Sequence, residues 1–380
     1  MLRKIFYTFQ YSLIISCFIL SVSCNYKPEP QSLSLSVAST LNLLQENPQF
    51  VMYLNFKNMS HTDFWKKNVS DSLLNAEKTF GSLLYTFKLA TGASISDGID
   101  EVYYSNSWFG ENAIVLRGVL DRNKLTQFIS ADTLFSVAKN ANGNIIYQKN
   151  DNGLYFYFRD DNTICASNYL KQIDLMIAVK DSVKSGILLN EKILNSIQNV
   201  IYKEDMWMVS TEKIFIRGIF QNFIESSPES SAESSAESSA ESSAESSDES
   251  DIEIDSSSQN ENQPSTLNDS IPENEKISII NLYKRFNSIS FSAKMSDELK
   301  FLIQSECIND ESSKYLQKIL SGVISVAKFR SAGNKNEGTR KILEKVKLDR
   351  YDNDVFIELT VDENNIKALR DAKLLNVPNQ

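Results

Sequence analysis

Short apolar runs alternate with amphipathic stretches along most of the chain, and this pattern predicts an α+β fold. Residues 50–56 are almost wholly apolar and rich in strand-forming types, as expected for a central strand of a sheet. Further strands are predicted over 101–107, 113–119, 145–149, 154–158, 163–167 and 206–209 in the first half, and over 286–295, 299–307 and 355–361 in the second.

Helices are predicted between these strands wherever apolar residues recur at helical spacing. Asp121 and Asp362 each follow a strand and precede such a stretch, so both are predicted N-caps. Ser60 or Thr62 is predicted to cap a helix over 73–87. Other helices are predicted over 170–179, 191–200, 213–223, 315–327 and 339–346.

An acidic low-complexity segment divides the chain. Residues 225–275 hold 15 Asp or Glu and no Lys or Arg, in a repeat based on Glu-Ser-Ser-Ala. Without them the net charge of −10 becomes +5. A segment with high like charge and few apolar residues cannot form a core, so it is predicted to be a disordered linker. The body itself is therefore close to neutral.

This division predicts an α+β protein of two units, each an antiparallel sheet covered by helices, joined by the disordered acidic linker. The expected limits are a signal peptide at 1–23, a flexible tether at 24–48, an N-terminal domain at 49–224, the linker at 225–276 and a C-terminal domain at 277–375.

The N-terminus has the layout of a secretory signal. Arg3 and Lys4 supply the positive charge, residues 5–20 are mainly apolar, and Ser21-Val22-Ser23 precede Cys24. This arrangement resembles the lipobox of bacterial lipoproteins, a family in which the cysteine thiol carries a diacylglyceryl group. The resemblance implies lipidation at Cys24 and anchoring to a membrane.

Two features of this region leave alternatives open. The family usually has Leu where this chain has Ser21, and Ile14-Ile15-Ser16 before Cys17 fits its consensus better but leaves a very short apolar segment. An ordinary cleaved signal or an uncleaved anchor are the other interpretations, although residues 5–20 are shorter than a spanning helix requires. Asn25 lacks the aspartate that retains some lipoproteins at the inner membrane, which favours the outer membrane.

Candidate chemistry in the body is sparse. His61 is the only histidine, which excludes a zinc site with two histidine ligands, and its place at a helix start favours a cap. Cys165 and Cys307 either form one disulfide or are buried free thiols. No cofactor or metal is expected. The candidate carboxylates all fall in turns: Asp160, Asp161, Asp349, Asp352 and Asp354.

Two surfaces are candidates for binding. In one interpretation a basic cluster contacts anionic lipid headgroups, surface polysaccharide or the chain's own acidic linker, and in the other it is a solvated helix and loop. The cluster contains Lys328, Arg330, Lys335, Arg340, Lys341, Lys345, Lys347 and Arg350. The second candidate is an exposed aromatic face that would stack on glycans or peptides. The alternative interpretation is that these aromatic residues pack in the core and across strands. The residues are Tyr103, Tyr104, Trp108, Tyr155 and Tyr157.

The body also resembles, loosely, envelope lipoproteins of unknown function built from repeated strand-Asp-helix units. The pattern runs from Arg117 through Asp121 to Leu125 and is echoed over 355–369, so an internal duplication is one explanation. The resemblance implies no enzyme. The sequence therefore predicts a non-catalytic envelope protein that binds a protein or surface polymer, with no nucleic-acid partner. The alternative is a hydrolase of envelope carbohydrate or peptide that uses carboxylates.

Overall fold

The computed structural model describes residues 32–68, 98–140, 143–150, 153–180, 183–199, 204–218, 282–333 and 337–371. The strands are β1 Phe50–Asn55, β2 Ile99–Asn106, β3 Asn112–Gly118, β4 Phe135–Lys139, β5 Ile145–Lys149, β6 Leu154–Asp160, β7 Thr163–Ser167, β8 Met206–Ser210, β9 Phe286–Met295, β10 Leu299–Cys307, β11 Lys347–Tyr351 and β12 Asp354–Val361. The helices are α1 Leu35–Leu41, α2 Phe56–His61, α3 Asp63–Asn68, α4 Arg122–Ala131, α5 Leu170–Ala178, α6 Glu191–Asn199, α7 over 213–218, α8 Asp310–Gly333, α9 Glu337–Glu344 and α10 Glu363–Asp371.

The described strands form one antiparallel sheet in the order β11-β12-β10-β9-β8-β1-β2-β3-β7-β6-β5-β4. The expected α+β class and antiparallel pairing are confirmed, but the expectation of a separate sheet in each half is not. β8 from the first half pairs along its length with β9 from the second, with Trp207 opposite Ser292. Because this pairing satisfies the backbone groups of both strands, the sheet continues across the point where the sequence suggested a division.

The first half of the sheet has an apolar core on each face. One core gathers the side chains at alternate positions such as Tyr53, Val115 and Cys165, and α1, α5 and α6 cover it. The opposite face carries the intervening side chains, including Val102 and Leu116, and packs against α2, α3 and α4. The near-continuous apolar run of β1 follows from this, because a strand covered on both faces has no solvent-facing side.

The second half has its core on one face. α8 packs its Leu316 and Leu320 against β9, β10 and β12, where Phe286, Cys307 and Val355 are buried. This arrangement accounts for the alternation predicted in β9, since small serines occupy the other positions of that strand.

The N-terminal helix α1 corrects the predicted tether. Residues 24–48 were expected to form a flexible tether with a short helix over 39–45, whereas the structure has α1 over Leu35–Leu41. Leu41, Leu43 and Leu44 are buried in the core that α5 and α6 also cover. The sequence signal was weak because only these few leucines interrupt a Ser- and Asn-rich stretch. Residues 24–31, which include Cys24, lie outside the described part of the chain, as do the predicted signal peptide and the predicted acidic linker.

Most predicted elements are present, and two strands were missed. Thr62 is the cap of α3, since its Oγ1 accepts from the Trp65 amide at 3.2 Å. The predicted helix over 73–87 lies in residues 69–97, which are outside the described part of the chain. β4 and β11 were not predicted because both are short and largely exposed or charged. Asp121 and Asp362 accept from the backbone amides of Lys124 and Asn365 at 3.0 and 2.9 Å, which confirms the two strand-Asp-helix units. A duplication stays a prediction.

Two kinds of feature are absent from the described residues. Among them, no helix has the length and apolar character needed to cross a membrane. No group of three or more His, Cys, Asp or Glu side chains within the same residues is placed to hold a metal ion.

Candidate binding site at one end of the sheet

The predicted aromatic face does not form as a surface. Tyr103 and Tyr157 lie in the core under α1 and α5 and are 0% and 6% exposed. Tyr104 is half-buried on the opposite face, and Tyr155 is half-buried at the margin of the first core. Trp108 alone of the five is exposed, because it lies beyond the end of β2. Strand alternation sends neighbouring side chains to opposite faces, which explains the separation.

The loop between β2 and β3 places two aromatic rings in solvent. We name residues Ser107–Glu111 the aromatic tip. Phe109 at its end is 90% exposed, and Trp108 beside it is 43% exposed. Gly110 has φ +74°, a conformation that disfavours other residues, and its amide donates to the Ser107 carbonyl at 3.1 Å. The sequence analysis missed Phe109, although a Trp-Phe-Gly run between two strands is a recognisable turn with aromatic content.

Hydrogen bonds from two other segments, at Asn168 and Gln45, hold the aromatic tip in place. The Asn168 amide side chain donates to the Gly110 carbonyl at 2.8 Å and accepts from the Asn112 amide at 2.9 Å. In return Asn112 Oδ1 accepts from the Asn168 amide at 3.1 Å. Gln45 Nε2, from the segment after α1, donates to the Glu111 carbonyl at 3.1 Å. The tip is therefore a braced loop whose rings project from a fixed base.

Trp108 has a polar partner in the segment that follows β8. Its indole Nε1 donates to Glu212 Oε2 at 3.3 Å, and the Glu212 amide donates to Ser210 Oγ at the end of β8. Antiparallel pairing brings the C-terminal ends of β2, β7 and β8 to the same end of the sheet. Three further exposed apolar residues therefore lie at this end: Tyr169 and Leu170 at the start of α5, and Ile214 in α7. With Trp108 and Phe109 they form what we call the tip patch.

The basic cluster is largely engaged in contacts within the fold. Lys345 contacts Asp362 at 2.6 Å and Asn365 at 2.9 Å. Arg350 contacts Asp310 at the start of α8. Further pairs are Lys347 with Glu358 at 3.6 Å and Arg340 with Glu344 at 3.5 Å. The described members thus tie α8, α9, β11 and α10 together, and Lys335 and the side chain of Arg330 lie outside the described part.

The predicted carboxylates do not converge. Asp160 Oδ1 accepts from the Asn162 amide at 2.8 Å, and Asp161 lies 3.9 Å from Arg122, at one end of β6. Asp354 is buried on β12 and accepts from Gln304 Nε2 at 3.2 Å. Asp352 has φ 50° in the β11–β12 turn, which is the turn role that the Asn- and Asp-rich sequence indicates. The two groups lie in different halves of the sheet.

His61 and the cysteines have structural surroundings. His61 is exposed at the end of α2, with Nδ1 2.6 Å from the Lys57 carbonyl oxygen of the same helix. Cys165 and Cys307 are free and buried, and burial raises the pKa of each thiol to about 12. They lie on β7 and β10, six strand spacings or about 29 Å apart, whereas disulfide-bonded Cα atoms are about 6 Å apart. The free-thiol alternative is therefore the one that the structure supports.

A buried phenol pair stiffens the base of β1 and β2. Tyr53 donates to Glu101 Oε1 at 3.0 Å, and Arg117 contacts the other oxygen of Glu101 at 3.3 Å. Burial raises the pKa of Tyr53 and of Tyr103 far above the usual range, so both stay protonated. Arg117 also donates to Ser36 Oγ of α1, which fastens the N-terminal helix to the sheet.

Comparisons with known proteins add little. No family model matches the chain, and no curated protein is significantly similar to it. Three crystal structures of TP0453, in forms III, IV and I, have 8%, 9% and 9% sequence identity and TM-scores of 0.43, 0.42 and 0.43. The alignments cover 87%, 89% and 91% of this chain and 97%, 96% and 99% of those chains. TM-scores below 0.5 carry no argument about function, so the assignment below is argued from this chain's own residues.

Proposed function

We propose that this chain is an acyl-anchored cell-envelope protein, attached through Cys24, with a non-catalytic role in binding another envelope protein. The anchor is inferred from the signal layout at residues 1–24, and the outer membrane is the favoured location because Asn25 follows the cysteine. The binding role is inferred from the tip patch.

The exposure of Phe109 carries the binding proposal. A phenyl ring that is 90% exposed contributes nothing to folding at that position, yet the loop beneath it is braced by Asn168 and Gln45. Aromatic rings held on a fixed base are typical anchors of protein interfaces, because little conformational entropy is lost when they enter a pocket.

A protein partner fits these residues better than a polysaccharide. Sugar recognition depends on hydrogen-bonding groups set around a stacking ring. Phe109 has no polar atom in its side chain, and the indole N–H of Trp108 already donates to Glu212. Tyr169, Leu170 and Ile214 add exposed, mainly apolar side chains at the same end of the sheet. A partner with an apolar pocket would cover this patch.

The test is site-specific photocross-linking in cells that express the full chain. A photoreactive phenylalanine analogue replaces Phe109, and the matched control replaces Phe329, which is 83% exposed on α8 in the other half. The proposal expects a discrete protein adduct from position 109 that is absent from position 329. Adducts that digestion of polysaccharide removes, or equal adducts from both positions, would contradict it.

Anchoring has a separate test. Incorporation of an alkyne-labelled fatty acid should be lost in Cys24→Ala and kept in Cys17→Ala. The reverse result would move the lipidation site to Cys17, and incorporation by neither or both variants would refute Cys24 as the anchor. Protease treatment of intact and permeabilised cells then distinguishes a surface-exposed body from a periplasmic one.

A further inference from the structure

The two edges of the sheet differ in a way that bears on self-association. An edge strand presents unpaired backbone N–H and C=O groups to any strand that can approach it. β11 forms one edge and is protected: α8 packs beside it, Lys347 pairs with Glu358, and Arg350 pairs with Asp310. Charges and a covering helix are the usual means by which proteins block strand addition.

β4 forms the other edge, and among the described residues no helix packs along it as α8 does along β11. Its sequence is Phe135-Ser136-Val137-Ala138-Lys139, and every residue after Phe135 is exposed. Val137 at the centre is 58% exposed. Within the described ranges, β5 is the one strand that pairs with β4. The start of the strand is fixed to the fold, because Phe135 packs edge-on against Phe128 and Phe156 at ring distances of 6.4 and 6.2 Å.

We propose that β4 pairs with β4 of a second copy of this chain, antiparallel about a two-fold axis at Val137. In that register Val137 faces Val137 of the other copy, Ser136 faces Ala138, and Phe135 faces Lys139. The strand's one charge then meets an aromatic ring, so no like charges are opposed and a cation–π contact is possible at both ends. This self-complementary order is what an interface with two-fold symmetry requires.

The pairing of two five-residue strands is weak by itself. Stable dimers in solution bury about 1,200–2,000 Å² in total, and such a pair buries only a fraction of that. Confinement to a membrane raises the effective concentration of one copy for another and makes a weak contact sufficient. The extent of pairing in cells therefore rests on the proposed lipid anchor, whereas the register of the pair does not.

Cysteine cross-linking of the full chain tests the register. Val137→Cys should give a disulfide-linked dimer under mild oxidation. The control is Val183→Cys, at a position that is 56% exposed and lies away from β4 in sequence, and it should give no more dimer than the parent chain. Cys165 and Cys307 are buried and do not contribute, and in chain prepared without an acyl group Cys17 and Cys24 are replaced by Ala. Equal cross-linking at both positions, or an adduct with a different protein at position 137, would overturn the proposal.

A charge exchange checks the same contact independently of oxidation. Val137→Lys and Val137→Glu each place two like charges opposite each other in a self-pair, and opposite charges in a mixed pair. Two differently tagged copies should co-purify several-fold more in the Lys–Glu combination than in Lys–Lys or Glu–Glu, and equal recovery would refute the pairing. Purified chain at rising concentration should give the same Val137→Cys dimer without an acyl chain. Loss of the anchor is thereby distinguished from failure of the β4 contact.

Discussion

Replacement of Trp207 tests whether the two halves of the sequence fold as one sheet. Trp207 on β8 is 1% exposed, stacks on Tyr53 with ring centroids 5.5 Å apart, and lies opposite Ser292 of β9. It is the large buried side chain at the junction of the halves. Truncation of a buried aromatic residue to alanine costs about 3–5 kcal/mol, because transfer free energy is lost and a cavity is left.

The two buried cysteines report on each half separately. Cys165 belongs to β7 in the first half and Cys307 to β10 in the second. Since both thiols are buried with a pKa of about 12, alkylation at neutral pH requires unfolding of the surrounding strands. Labelling at increasing urea concentration, with each cysteine quantified by peptide mass spectrometry, gives one unfolding midpoint for each half.

In a single sheet the Trp207→Ala substitution should lower both midpoints together. With a urea dependence of about 3 kcal/mol per molar, a loss of 3–5 kcal/mol corresponds to a shift of about 1–2 M. Trp207→Phe keeps a ring against Tyr53 and should shift both midpoints by less than half as much. The matched control is Trp108→Ala, which removes an exposed indole and should move neither midpoint by more than about 0.3 M. A shift of the Cys165 midpoint without that of Cys307 would refute the reasoning and restore two independent units.

Two further predictions concern a helix cap and a glycine. The hydrogen bond from Lys345 holds the pKa of the Asp362 carboxyl below its usual range. The carboxylate therefore stabilises the fold above about pH 4, and this contribution is lost as pH falls through the lowered pKa. Asp362→Asn should therefore cost about 0.5–1 kcal/mol at pH 7, and its difference from the parent chain in urea unfolding should disappear near pH 2. Gly186 has φ +53°, and a Cβ there would lie 2.2 Å from the Leu44 carbonyl oxygen. Gly186→Ala should therefore lower the free energy of unfolding by about 2 kcal/mol or more and make the α1 region sensitive to limited proteolysis. Unchanged urea midpoints and cleavage patterns would contradict the close approach.

Local order was largely readable from the sequence. The predicted β5, β9 and β10 coincide with the observed strands, and Asp121 and Asp362 cap the helices that they were expected to cap. These features depend on residues close together in the chain, namely turn formers, caps and alternating apolar positions. The free state of the cysteines and the surroundings of the carboxylates depend on strand order, so the sequence left them open.

The tip patch shows the same limit. Trp108 was recognised only as one of five aromatic residues, because sequence does not tell which rings lie within strands and which lie beyond their ends. The exposure of Phe109 and its bracing by Asn168 depend on contacts between segments more than 50 residues apart.

The sequence by itself determined the α+β class, most strand and helix limits, the acidic segment and the lipobox-like N-terminus, since each is a property of neighbouring residues. Tertiary structure alone decided that α1 belongs to the core, that β8 and β9 join the halves into one sheet, and that β4 is left as an exposed edge. Strand order depends on which apolar faces can be covered together, and this is set by contacts between segments far apart in the chain.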